Sequence, residues 1–156
     1  MTHNILVSDP ISEEGLQSLI NHPDFKVDFK SDLTEEELVD IIPNYQGLIV
    51  RSQTQVTESI INHASNLKVI ARAGVGVDNI DIKSATLNGI LVVNAPDGNT
   101  VSATEHSVAM ILAMARNIPQ AYTSLKNKEW NRKAFKGVEL YQKVLGVIGA
   151  GRIGLG

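Results

Sequence analysis

Short apolar runs recur through the first part of the chain at Ile5 to Val7, Val27 to Phe29, Leu48 to Val50, Val69 to Ala71 and Leu91 to Val93. Helix-like stretches separate them. That alternation is the pattern of repeated βα units and a parallel sheet, and it leaves few other arrangements open. Between the first two runs, Leu16, Leu19 and Ile20 fall on one helical face. Thr34 and Glu37 have the spacing of a capping box ahead of Leu38, Ile41 and Ile42. Thr57 opens a third helix and Asp81 a fourth, while Pro43 and Gly89 help to end the helices they follow.

These features predict an α/β fold in which a flavodoxin-like parallel-sheet domain occupies residues 1–95. Asn94 to Gly98 reads as a break, because proline and an Asp-Gly pair both favour turns. Residues 96–156 then follow as a hinge, a linking helix, an arm and the start of a second domain. Val101, Val108, Ile111, Leu112 and Ala115 recur at helical spacing after Thr100, and Met110 and Met114 widen the apolar surface. A helix that apolar is expected to be buried. From Asn117 to Gln142 the pattern loosens, with Trp130 and Phe135 set among basic residues. This stretch is either an arm that packs on a partner or a surface excursion whose aromatic residues cover the local core.

Val144 to Ile148 reads as a short buried strand feeding Gly149, Gly151 and Gly154, which have the GxGxxG spacing of a Rossmann nucleotide-binding domain. In such a turn the first glycine permits the bend, the second lets the backbone approach a pyrophosphate, and the third lets helix and strand pack closely. Amides at the helix start face the anion. The acidic ribose ligand expected roughly 20 positions later would lie beyond Gly156. The alternative is a glycine-rich turn with no ligand.

Composition narrows the function classes. A formal charge of -3 and the lack of a basic run argue against sequence-independent nucleic-acid binding. No apolar run approaches the ~20 residues that span a bilayer, and the start lacks the marks of a secretory signal, so a cytoplasmic location is expected. With no Cys in the chain there is no disulfide framework and no thiol nucleophile. His3, His22, His63 and His106 show no metal-ligand spacing.

Ligands of open parallel sheets bind beyond the carboxyl ends of the strands. After the third run come Arg51 and Ser52, a cation and a hydroxyl suited to an anionic ligand; the plainer reading of Arg51 is a structural ion pair. After the fourth come Gly74, Val75 and Gly76, whose successive amides can cradle a carboxylate or phosphate; the plainer reading is turn geometry at positive φ. Asn79 stands where a dinucleotide fingerprint would need its third glycine. Asp9 invites comparison with phospho-receiver domains, but Arg51 occupies the corner where those need an aspartate.

The segments ARAGVGVDNID at 71–81 and NAPDGNTVSATEHSVAMILAMARNIPQA at 94–121, followed by Trp130 and Phe135, resemble the D-isomer-specific 2-hydroxyacid dehydrogenases. The second segment favours the phosphoglycerate branch, of which this chain is similar to the amino-terminal portion. The resemblance implies a substrate domain and a nucleotide-binding domain, with NAD as cofactor and oxidation of 3-phosphoglycerate to 3-phosphohydroxypyruvate on the way to serine. It implies a homodimer or higher oligomer formed through the nucleotide-binding domain. Arg51 and Ser52 would bind the anionic end of a 2-hydroxy acid, and the Val75 and Gly76 amides its carboxylate beside the nicotinamide. Asn99 would face the same cleft, and Arg132 would reach a neighbouring subunit's phosphate site. Arg152 and Ile153, inside the glycine turn, would contact the pyrophosphate. The family's catalytic Arg, Glu and His match nothing in these residues, so no catalytic residue is expected here and the chain alone is expected to be inactive. A non-catalytic binding or dimerisation module is the competing expectation.

Overall fold

The computed structural model describes residues 2–156. Five strands form, at β1 (His3–Val7), β2 (Phe25–Phe29), β3 (Gly47–Val50), β4 (Val69–Arg72) and β5 (Leu91–Asn94). Helices α1 (Glu13–Ile20), α2 (Glu35–Ile41), α3 (Glu58–His63) and α4 (Ile82–Leu87) connect them. All strand pairs are parallel and the order is β2-β1-β3-β4-β5, the flavodoxin-like arrangement. Leu6, Leu48, Val50 and Ile70 of the inner strands are fully covered, by a core that includes Leu38, Ile42, Ile60, Ile61 and Ala85. Leu16, Leu19 and Ile20 do share a face of α1, but each is only half-buried.

Local chemistry sets the helix ends. Thr34 and Glu37 form the reciprocal capping box, with the Thr34 amide donating to Glu37 Oε2 at 2.8 Å and the Glu37 amide to Thr34 Oγ1 at 3.2 Å. Thr57 caps α3 and Asp81 caps α4, the latter accepting from the Ser84 amide at 2.9 Å. Pro43 does not stop the chain outright, because α2 tightens into a 3-10 turn at Ile42–Asn44 that carries the proline in its first turn, where no amide is needed. Gly89 follows α4 at φ 69°, the left-handed conformation that closes a helix.

The chain divides into two compact units after Gly98. The second, Asn99–Gly156, contains α5 (Thr100–Ala115) and α6 (Ile118–Lys126), joined through Asn117 at φ 52°. Two expectations fail here. Helix α5 buries none of its residues fully, and Met114 is 75% exposed, because α6 and the 137–138 segment of this unit cover it only in part. No strand forms at Val144 to Ile148, where Val144 is 97% exposed. A parallel strand is held by neighbours along its hydrogen-bonding edges, and the described residues of this unit contain no strand to pair with it.

Both capping carboxylates titrate low. Hydrogen bonding to the Thr34 amide holds Glu37 below the usual glutamate range, and the Ser84 amide does the same for Asp81. A pKa lower in the folded than in the unfolded state gives stability that is complete above the unfolded value and is lost as pH falls through the folded one. The thermal midpoint is therefore expected to fall between about pH 5 and pH 2. Replacing Glu37→Gln together with Asp81→Asn keeps the caps and should flatten part of that fall, read as midpoint against pH for both proteins.

Candidate anion site at the carboxyl edge of the sheet

Parallel pairing of β1, β3 and β4 brings the residues after all three strands to one edge. The first of them, Asp9, is 3% exposed and organises the loop after β3. Its carboxylate accepts from the Arg51 amide at 2.6 Å, the Gln53 amide at 3.2 Å, the Thr54 amide at 3.0 Å and Thr54 Oγ1 at 2.5 Å. Ser8 Oγ lies 3.0 Å from the same Thr54 hydroxyl. A buried carboxylate is stable when its lone pairs are filled by donors, and here backbone amides supply most of them.

Arg51 and Ser52 are exposed, and they line a cleft of about 140 Å³ with Asp9, Pro10 and Gln53. The Arg51 guanidinium donates through Nη1 to the Pro10 carbonyl at 3.3 Å and forms no ion pair among the described residues. The plainer reading of Arg51 as a structural ion pair therefore fails. Its amide, not its guanidinium, is what Asp9 holds.

The loop after β4 is tied down from several sides. Gly74 donates to the Arg72 carbonyl at 2.9 Å, the Ala95 amide to the Gly74 carbonyl at 2.9 Å, and Asn94 Nδ2 to the Val75 carbonyl at 2.6 Å. Carbonyls of this turn are thus engaged, whereas the Val75 and Gly76 amides donate to no protein acceptor among the described residues. Neither Gly74 nor Gly76 has positive φ, so turn geometry does not explain them. At Gly76 a Cβ would stand 2.7 Å from Arg72 Nη1 and 2.7 Å from Asp78 Oδ1, so a larger residue would have to displace the ends of those side chains. Those two atoms form an ion pair at 2.9 Å, with the Arg72 side chain 11% exposed.

Several participants were not singled out from sequence as site residues. Asp9, Arg72, Asp78, Asn79 and Asn94 position the loops, and a signal existed for two of them. Asp9 sits at a strand end, and Asn79 breaks a glycine pattern. No group of side chains suited to a metal ion occurs among the described residues.

In the second unit, Asn99 caps α5 with its backbone, its carbonyl accepting from the Ala103 amide at 2.9 Å and Ser102 Oγ at 3.1 Å. Arg132 lines a cavity of about 210 Å³ with Leu125, Trp130 and Phe135, where Ser124 Oγ closes the turn onto the Glu129 carbonyl at 3.1 Å. Gly149, at φ 98°, and Gly151 have open space around them, while a Cβ on Gly154 would collide with the Gly149 carbonyl. The Leu155 amide bonds the Gly151 carbonyl at 3.0 Å and curls Arg152 and Ile153 into a turn, whose Ile153 carbonyl accepts from Thr104 Oγ1 of α5 at 3.2 Å. Without a preceding strand or a following helix, this segment does not fit a dinucleotide pyrophosphate as it stands.

A family profile for the D-isomer-specific 2-hydroxyacid dehydrogenase catalytic domain matches residues 5–144. The chain belongs to that family. It is 52% identical over 150 residues to a D-3-phosphoglycerate dehydrogenase of Synechocystis, covering 96% of this chain and 27% of that protein. The chain thus spans about a quarter of the length of this curated relative. Among solved structures, a Thermus thermophilus protein matches at TM-score 0.88 and 28% identity, over 97% of this chain and 50% of its own. A cofactor (NAD+) bound 3-phosphoglycerate dehydrogenase of Entamoeba histolytica matches at TM-score 0.77 and 28% identity, over 99% of this chain and 47% of its own. No helix among the described residues is long and apolar enough to cross a membrane.

The geometry makes Asp9 the anchor of the Arg51 loop. Asp9→Asn keeps the shape but replaces one carboxylate oxygen with an NH2 group, which then faces either the Arg51 and Gln53 amides or the Thr54 amide, at an expected cost of about 1–3 kcal/mol. Amide hydrogen exchange should then quicken at residues 51–54 before it does in β1 or β3; uniform exchange would show that the loop does not depend on Asp9.

Proposed function

We propose that this chain supplies the substrate-binding domain of a D-3-phosphoglycerate dehydrogenase, the NAD-dependent oxidation of 3-phosphoglycerate to 3-phosphohydroxypyruvate being the reaction of the longer enzyme. The observation that carries the reading is the pair of loops on one sheet edge: on one, an Arg51 guanidinium with no ion pair among the described residues, and on the other, Val75 and Gly76 amides with no acceptor among them. A small acid with an anion at each end has the chemistry to engage both. Arg51 and Ser52 take its phosphate, and the Gly74 to Gly76 turn takes its carboxylate. Identity with phosphoglycerate dehydrogenases over 96% of the chain supports that substrate over other 2-hydroxy acids.

Asn99 and Arg132 belong to the same proposal as contributors to the cleft and to a neighbouring subunit's phosphate site. Gly149, Gly151, Arg152, Ile153 and Gly154 belong to it as the NAD site of the longer protein, together with a cytoplasmic location and a homo-oligomer. Oxidation at a hydroxyl carbon needs a group to take the hydroxyl proton and a cation to polarise the developing carbonyl. No residue at the edge described above is placed as such a base.

One observation favours a second reading, a non-catalytic binding or dimerisation module. Val108 and Leu112, one turn apart on α5, are exposed, as are Met110 and Met114 on another face, and exposed apolar side chains of this kind suit a partner. Val108→Glu tests this second reading, because in a binding module it should abolish association while leaving 3-phosphoglycerate binding at the Arg51 loop unchanged.

In the longer enzyme, Arg51→Ala is expected to weaken 3-phosphoglycerate by about tenfold or more, the loss of a charge-assisted contact. Unchanged affinity in a direct titration would refute the assignment. Purified 156-residue chain supplied with NAD and 3-phosphoglycerate is expected to form no NADH, read by absorbance, and sustained turnover would overturn that part.

A further inference from the structure

Several hydrogen bonds join the two anion loops, and two of them converge on one atom. The Arg51 carbonyl accepts from Arg72 Nε at 3.1 Å and from Asn79 Nδ2 at 2.8 Å, so side chains from the last residue of β4 and from the loop after it grip the backbone of the β3 loop. The same Asn79 amide donates to the Thr54 carbonyl at 2.6 Å. From the other side Asp9 holds the Arg51 amide at 2.6 Å. Residue 51 is therefore fixed at both its N–H and its C=O, and its side chain leaves from an immobile point. Asp78, at 2.9 Å from Arg72 Nη1, anchors the outer end of the arginine.

Asn79 is buried with its Oδ1 unpartnered among the described residues. Leaving a buried acceptor unmet is destabilising, so an asparagine kept there earns its place by the other half of its amide. That half is the Nδ2 group bridging Arg51 and Thr54.

We propose that Asn79 and Arg72 are positioning residues that fix the spacing between the Arg51 cation and the Val75 and Gly76 amides, and thereby set a preference for ligands with two anionic groups over ligands with one. The inference rests on the anion-site reading above. A ligand with two charged ends gains from both loops only when their separation matches its length, whereas a ligand with one end engages one loop and is indifferent to the spacing. Cross-linking the loops in advance removes the cost of ordering them on binding.

The test titrates the 156-residue chain, its Asn79→Ala variant and its Asp78→Ala variant with D-3-phosphoglycerate and with D-glycerate, by calorimetry, with thermal unfolding of each protein alongside. The unsubstituted chain should prefer phosphoglycerate by about tenfold or more, and Asn79→Ala should bring that ratio down to about twofold. Asp78→Ala releases Arg72 without touching the core, since the Asp78 side chain is 83% exposed, and should lower the ratio by about threefold. If Asn79→Ala does not fold, the Asp78→Ala ratio decides. Variants that weaken both ligands alike leave the ratio where it was and overturn the proposal in favour of a merely structural role. An unsubstituted chain that binds both ligands equally overturns the proposal while sparing the anion site; one that binds neither refutes the anion site, and the proposal falls with it.

Discussion

Everything at the candidate site depends on the parallel pairing that seals β3 between β1 and β4. Leu48 and Val50 of β3 are fully covered, and Gly47 to Val50 pairs with Val69 to Arg72 in continuous register. In a parallel sheet all strands run the same way, so their carboxyl ends share one edge and the residues that follow them become neighbours. Ser8 and Asp9, Arg51 to Thr54 and Arg72 to Asn79 are far apart in the chain and adjacent in space for that reason alone. Hydrophobic burial supplies the stability, and pairing converts it into the placement of polar groups.

Most of this was legible from sequence where the determinant is local. The five runs, the Thr34 and Glu37 capping box, the Thr57 and Asp81 caps and the Gly89 stop each depend on a few consecutive residues, and each appears as read. Arg51, Ser52 and the Gly74 to Gly76 turn could be marked as candidates because the strand-end rule needs only the ends of the runs. What could not be read was partnership across loops. That Asp9 would grip three amides forty-odd residues away, or that Asn79 would reach the Arg51 carbonyl, depends on register and loop path. Gly76 shows the difference: its type suggested positive φ, which it does not have, and what lies beside it is the Arg72 and Asp78 pair.

In the second unit the readings that failed were those requiring non-local partners. The periodicity of α5 correctly gives a helix, yet an apolar face is buried only when something lies against it. Val144 to Ile148 has the composition of a strand, yet a strand exists only as a member of a sheet. Both segments carry correct local preferences, and neither finds in this unit the surface that would complete it. The glycine spacing at 149–154 likewise depends on non-local structure, since the turn it encodes is defined by the strand before it and the helix after it.

The chemistry of the anion loops turns on a choice between two arginines. Arg72 and Arg51 both follow buried strands, but Arg72 is largely covered, with Nε and Nη1 engaged by the Arg51 carbonyl and Asp78. Arg51 is exposed beside a buried carboxylate, and the obvious outcome would be an ion pair with Asp9. It does not form. Both Asp9 oxygens already accept from amides, and a fourth donor comes from the Thr54 hydroxyl, so little lone-pair capacity remains for a guanidinium. Backbone donors are also the better partners for a buried anion, because they bring no side-chain entropy cost and no second charge to desolvate. By satisfying Asp9 with the backbone of its own loop, the fold keeps the Arg51 cation out of an internal pair and leaves it facing solvent, where an anionic ligand can meet it.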